Sequence, residues 1–141
     1  MSSAATKSLD VPQRGPAITA ASIFFLVFGL GSLVANVPVI AHMISNRSFP
    51  VVFGIPLLGS SFTERLGMDF MIRASLVFQV MNALEVLAGF WLWKSDKKGG
   101  RLGLMLLPVG FAFWILFQLP LPLVVGPLRA IAVAIGWKSL R

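Results

Sequence analysis

The stretch Phe70 to Trp93 is an apolar run long enough to cross a bilayer, yet it carries Gln79, Asn82 and Glu85 in its middle. Hydrocarbon gives such groups no water to bond with, so each must find a partner within the protein. An ionisable side chain at that depth marks a site by default. The run therefore cannot stand alone in lipid, and other helices must surround its polar face. The rest of the chain supplies them. It is 57% hydrophobic and 12% charged with a mean hydropathy of +0.86, a composition found in membrane proteins and outside the soluble range. The expected fold is all-α: one integral membrane domain covering residues 1–141, an antiparallel four-helix bundle with spans at about 17–36, 70–93, 102–119 and 123–137.

Met1 to Gly15 reads as a short exposed polar tail. The apolar run from Ala17 to about Val34 is longer than the core of a secretory signal and lacks a small-x-small cleavage site, so it reads as the first span. Pro38 disfavours helix at the residue before it and is expected to end that span near Asn36. Ser45 to Gly67 joins apolar side chains such as Phe49, Val51, Val52, Phe53, Ile55, Leu57 and Leu58 to Pro50, Gly54, Pro56, Gly59 and Gly67. Such a segment is an apolar outer loop between the first and second spans: interfacial, re-entrant, or a short hairpin across the bundle. It either caps the helices or lids a pocket. Lys94 to Arg101 is a basic connection with Gly99 and Gly100 expected to interrupt helix, preceded by Trp91 and Trp93 as an interfacial belt. Pro108 and Gly110 are expected to kink the third span, and Leu119 to Pro122 to form the turn into the fourth.

Four spans put both termini on one side. Lys7, Arg14, Lys94, Lys97, Lys98, Arg101, Lys138 and Arg141 share that side, against Arg47, Arg65 and Arg73 opposite, so the positive-inside rule places the termini in the cytoplasm and the protein in the inner membrane. The net charge of +7 is explained by this distribution rather than by nucleic acid, since the basic residues lie between apolar segments instead of on one polar surface.

The twelfth basic residue is Arg129, inside the fourth span. Glu85 lies nine residues before Lys94 and Arg129 nine before Lys138. At about 1.5 Å per residue, both sit roughly 13 Å from the same boundary. Two opposite charges at one level are expected to pair, because burying either alone is costly. The alternative has Arg129 snorkelling to the outer face and Glu85 protonated, bonded to Asn82. Ser75, Gln79 and Asn82 fall within about 60° of one another on a helical wheel, with Gly89 near and Glu85 on the flank. Such a face either binds a neighbouring helix or lines a polar pocket for a head group, a quinone or another small amphiphile. Gln79, Asn82, Glu85 and Arg129 are thus the candidate ligand-binding or buried polar cluster.

Motifs of catalysis are missing. There is no P-loop, G-x-S-x-G or H-E-x-x-H, no cysteine for a disulfide or thiolate site, and a single histidine, His42, near the outer end of the first span; no metal or cofactor is implied. Gly29 and Gly31 are expected to serve close packing, Glu64 and Asp69 to make local ion pairs with Arg65 and Arg73, and Asn46-Arg47-Ser48 matches a glycosylation acceptor.

From Arg73 to Trp137 the chain resembles the DoxX-like group of small bacterial membrane proteins: Ala83-Leu84-Glu85-Val86-Leu87-Ala88-Gly89 in the second span, a brief basic connection, then a hairpin of two further spans. The long apolar loop Ser45 to Gly67 departs from that pattern. The resemblance implies an antiparallel four-helix bundle and, for some members, an accessory role beside quinone-linked oxidoreductases; it transfers no catalytic residue. Two functions stay open. One is a non-catalytic accessory subunit or binder of a small hydrophobic ligand, surrounded by the lipid bilayer and held in a larger membrane complex or homo-oligomer. The other is a small membrane enzyme acting on a lipid or sterol-like substrate through Glu85. Only one carboxylate lies deep, which counts against a two-carboxylate relay.

Overall fold

The computed structural model describes residues 14–56, 58 and 60–141. The polar tail before Arg14, and Leu57 and Gly59 of the apolar loop, lie outside them. The described chain is helical: α1 (Pro16–Asn46), α2 (Ser61–Leu66), α3 (Met68–Trp93), α4 (Lys97–Leu116) and α5 (Pro120–Gly136), with a 3-10 turn at Trp137–Ser139 and a small hairpin of β1 (Val51–Val52) and β2 (Ile55–Pro56). With the 3-10 turn counted into the last, four helices are long and apolar enough to cross a membrane. The first of them, α1, is the most apolar of the four and the least buried. Ile23, Val27, Leu30, Val34 and Val37 lie exposed along it. A soluble helix shows the opposite arrangement, and an apolar outer face of this length is that of a candidate membrane span.

Three boundaries differ from the sequence reading. Helix α1 runs through Pro38 to Asn46, adding about a span's third beyond Asn36. Pro38 removes one amide donor, but the apolar residues after it continue the inward face, with Ile40 and Met43 buried in the core. Helix α4 starts at Lys97, so Gly99 and Gly100 lie inside its first turn instead of interrupting it. Asp96 caps that turn, its carboxylate accepting from the Lys98 amide at 2.8 Å. Gly99 is small for a packing reason: a Cβ there would stand 2.6 Å from both the Ala88 carbonyl oxygen and the Leu92 nitrogen of α3. The turn into α5 is Phe117–Leu119 rather than Leu119–Pro122, because Pro120 opens the helix at its first position, where its missing N–H costs nothing.

Helix α1 packs along α3 and against α5, and α4 packs against the same two. Polar bonds stitch α1 to α3: Ser22 Oγ donates to the Gly89 carbonyl at 2.9 Å, Gln79 Nε2 to the Leu33 carbonyl at 2.8 Å, and Asn36 Nδ2 to Gln79 Oε1 at 3.2 Å. Gly29 lies against Asn82 and Val86, where a Cβ would come within 2.8 Å of Val86 Cγ2, whereas Gly31 faces open space and has no packing role. Between helices whose outer faces are apolar, small residues and such bonds provide the adhesion.

The apolar loop divides into docked and exposed parts. Phe49, Leu58 and Leu66 pack on the core, and Thr63 is buried, closing a capping box with Ser60 at the start of α2. Val51, Val52 and Phe53 stand out from the bundle, Phe53 being 99% exposed. The segment thus holds a short hairpin, one of the forms its sequence allows, but its tip neither caps the helices nor lids a pocket, because a two-residue turn with positive φ at Phe53 and Gly54 points it outward. Nearby, Asp69 pairs with Arg47 at 2.6 Å, not with Arg65 or Arg73. His42 bonds Asn46 and Ser48 at the end of α1, inside the candidate glycosylation motif. At the other end Lys97 donates to the Arg141 carbonyl at 2.9 Å, Arg141 donates to the Ser95 carbonyl at 2.8 Å, and Arg14 lies 3.7 Å over the Trp93 ring.

Candidate functional site

Buried side chains form two apolar clusters. One, toward the hairpin, includes Met71, Phe78, Met81, Leu106, Trp114 and Phe117; the other, toward the chain ends, includes Ile18, Phe25, Ala88, Leu92 and Val133. Between them sits an ion pair. Arg129 donates from both terminal nitrogens to the two oxygens of Glu85, each at 3.0 Å, joining α5 to α3. Glu85 is 4% exposed and Arg129 2%. The fork-to-fork geometry is the strong form of the carboxylate–guanidinium contact, and it spans 44 residues of sequence. The arrangement is that of depth-matched partners, with Arg129 turned inward rather than snorkelling.

Aromatic rings hold the cation in place. The guanidinium carbon lies 4.5 Å from the Phe25 ring and 5.4 Å from the Trp114 ring, one ring from each apolar cluster. Two glycines give those rings their room. A Cβ on Gly103 would come within 2.5 Å of the Phe25 ring, and one on Gly126 would collide with the Trp114 indole. Small residues on α4 and α5 thus set where two rings from α1 and α4 lie, and the rings set where the charge lies.

The four residues singled out from sequence do not form one group. Asn82, Glu85 and Arg129 line one small cavity of about 10 Å³ with Phe28, Ser32, Trp114, Pro122 and Val125. Gln79 is absent from that lining and is committed to α1 through Leu33 and Asn36. Within the cavity wall two buried donors have no hydrogen-bond partner, Asn82 Nδ2 and Arg129 Nε. Ser75 Oγ, further along the α3 stripe, is likewise unpaired. Phe25, Ser32, Asn36, Trp114, Gly103 and Gly126 were not marked by the sequence as site residues. The spacing of Gly99, Gly100 and Gly103 signals a close helix contact but not which ring fills it.

A second, larger cavity adjoins the first. It measures about 210 Å³, is partly open, and is lined by Ser32, Ala35, Asn36, Val39, Leu58, Phe78, Phe117 and Leu119. Its wall is apolar except at Ser32 and Asn36. Ser32 borders both cavities. On α1, Phe28, Ser32, Ala35, Asn36 and Val39 recur at helical spacing, so one face of this helix serves both. Among the described residues no three His, Cys, Asp or Glu side chains gather as a metal site would require. Comparison with protein-family models, curated proteins and solved structures gave no match. The class defined by fold and site is an all-helical protein with four helices of membrane-crossing length and a charge pair buried among them.

Proposed function

We propose that this is a multi-pass protein of the inner membrane, an antiparallel four-helix bundle with both termini cytoplasmic and the hairpin outside. Its function is non-catalytic: it holds a small hydrophobic molecule in the groove formed by α1, α3, Leu58 and the α4–α5 turn, alone or as an accessory component of a larger assembly. The groove carries this reading. It offers about 210 Å³ of apolar space with two polar side chains, Ser32 and Asn36, on one wall, the composition of a small-ligand site. The basic residues support the orientation, eight flanking the terminal side against Arg47, Arg65 and Arg73 on the other.

A catalytic role for Glu85 fits less well. Both carboxylate oxygens are engaged by Arg129, and the adjoining space admits no more than one water-sized group. A general base needs a free oxygen within reach of its substrate. The DoxX-like resemblance suggests a redox enzyme as the larger assembly, a proposal that co-purification addresses.

The test is native mass spectrometry of the protein extracted directly into nanodiscs. The wild type should carry a bound small molecule, and Ala35→Trp, which fills the groove, should lose it while retaining its thermal transition. Equal occupancy in both proteins, or none in the wild type, defeats the reading.

A further inference from the structure

The polar cavity beside the ion pair is incomplete in a specific way. Its two fully buried atoms without a hydrogen-bond partner, Asn82 Nδ2 and Arg129 Nε, are both donors. Asn82 is 1% exposed and Arg129 2%, so neither reaches bulk solvent. Buried donors left unpaired are expensive, which makes an acceptor the missing group. At about 10 Å³ the cavity has space for one oxygen atom. The charge there is already balanced, since Glu85 neutralises Arg129 in a bidentate pair. An anionic head group would bring a second negative charge with no counter-charge, at high desolvation cost. A neutral acceptor brings none.

The neighbouring groove supplies the rest of the shape. Its apolar wall meets the polar cavity at Ser32, and Phe28, Ser32 and Ala35 form a continuous strip of α1 past both. Resting on the reading that the groove holds a hydrophobic molecule, we propose that the ligand is an uncharged carbonyl amphiphile, a ketone or ester. Its oxygen passes Ser32 to accept a hydrogen bond from Asn82 while its alkyl body lies between Val39, Phe78 and Phe117. Asn82 is the specificity-determining residue, and the Glu85–Arg129 pair excludes carboxylates.

Dodecan-2-one labelled with ¹³C at the carbonyl, dodecane and dodecanoate serve as probes with the full-length protein in detergent. The ketone should raise Tm saturably, by roughly 4 °C at tenfold excess over its Kd. Its carbonyl stretch should shift below the value in alkane solution, a readout that requires no variant. Dodecane and dodecanoate should bind at least tenfold more weakly, and Asn82→Ala should bring the ketone to the level of dodecane. If dodecane binds as tightly as the ketone, or the carbonyl stretch stays at its alkane value, the assignment to Asn82 falls and the groove reading stands. Tighter binding of dodecanoate overturns the charge argument. If none of the three binds, both the assignment and the groove reading fall.

Discussion

Replacing the members of the buried pair singly and together tests the centre of the fold. Glu85→Gln removes the negative charge but leaves an amide oxygen that still accepts one of the two bonds from Arg129 at 3.0 Å. The guanidinium also keeps its contacts with Phe25 and Trp114. Those contacts retain roughly 1 kcal/mol, so the loss belongs at the low end for breaking a buried pair, about 3 kcal/mol. Arg129→Met removes both bonds and both ring contacts and leaves a buried carboxylate without a counter-charge. Its cost is about 4 kcal/mol. The double variant has no orphan charge and loses only the bonds and ring contacts, so it should be milder than either single change, giving a coupling energy of more than about 4 kcal/mol. Equilibrium unfolding in mixed micelles, titrated with sodium dodecyl sulfate and followed by circular dichroism, measures all four proteins. Single losses that add to within about 0.5 kcal/mol would mean that the two charges do not compensate each other, and would refute the reasoning.

Gly99→Ala should destabilise the protein by about 1–3 kcal/mol, because the added methyl meets α3 backbone that cannot swing aside, while Gly31→Ala should be neutral or stabilising by about 0.5–1 kcal/mol in the same unfolding assay. Deleting Leu140 and Arg141 removes a buried leucine and the two backbone bonds to Ser95 and Lys97, and should lower stability by about 3 kcal/mol with faster amide exchange confined to the α3–α4 connection. The chain has no native cysteine, so orientation can be read from single introduced ones. Lys97→Cys should resist an impermeant thiol reagent in intact cells and Val52→Cys should react; the reverse pattern inverts the proposed topology.

Much of the fold was legible because long apolar runs leave the backbone few ways to satisfy its own hydrogen bonds. Helix is the one that does so within a single segment, so the existence of four helices of membrane-crossing length followed from composition. Helix spacing and depth were legible for the same reason. They aligned Ser75, Gln79 and Asn82 on one face of α3 with Glu85 on its flank and set Glu85 level with Arg129, because rise and rotation per residue are fixed. What could not be read were features settled by what a residue touches. Pro38 reads as a stop and Gly99-Gly100 as a break, yet neither interrupts its helix. The inward face of α1 resumes with Ile40 and Met43, and the glycines allow α4 to approach the backbone of α3. Gln79 shares a stripe with Asn82 on the helical wheel but was claimed by Leu33 and Asn36 of α1, a matter of which neighbour lies opposite. The rings around Arg129 and the two cavities that meet at Ser32 come from α1, α3, α4 and α5 together. Sequence determines what each helix can offer, since periodicity is a property of one chain segment. Partnership is decided only when four segments pack, because shape and unpaired donors exist between helices and not along them.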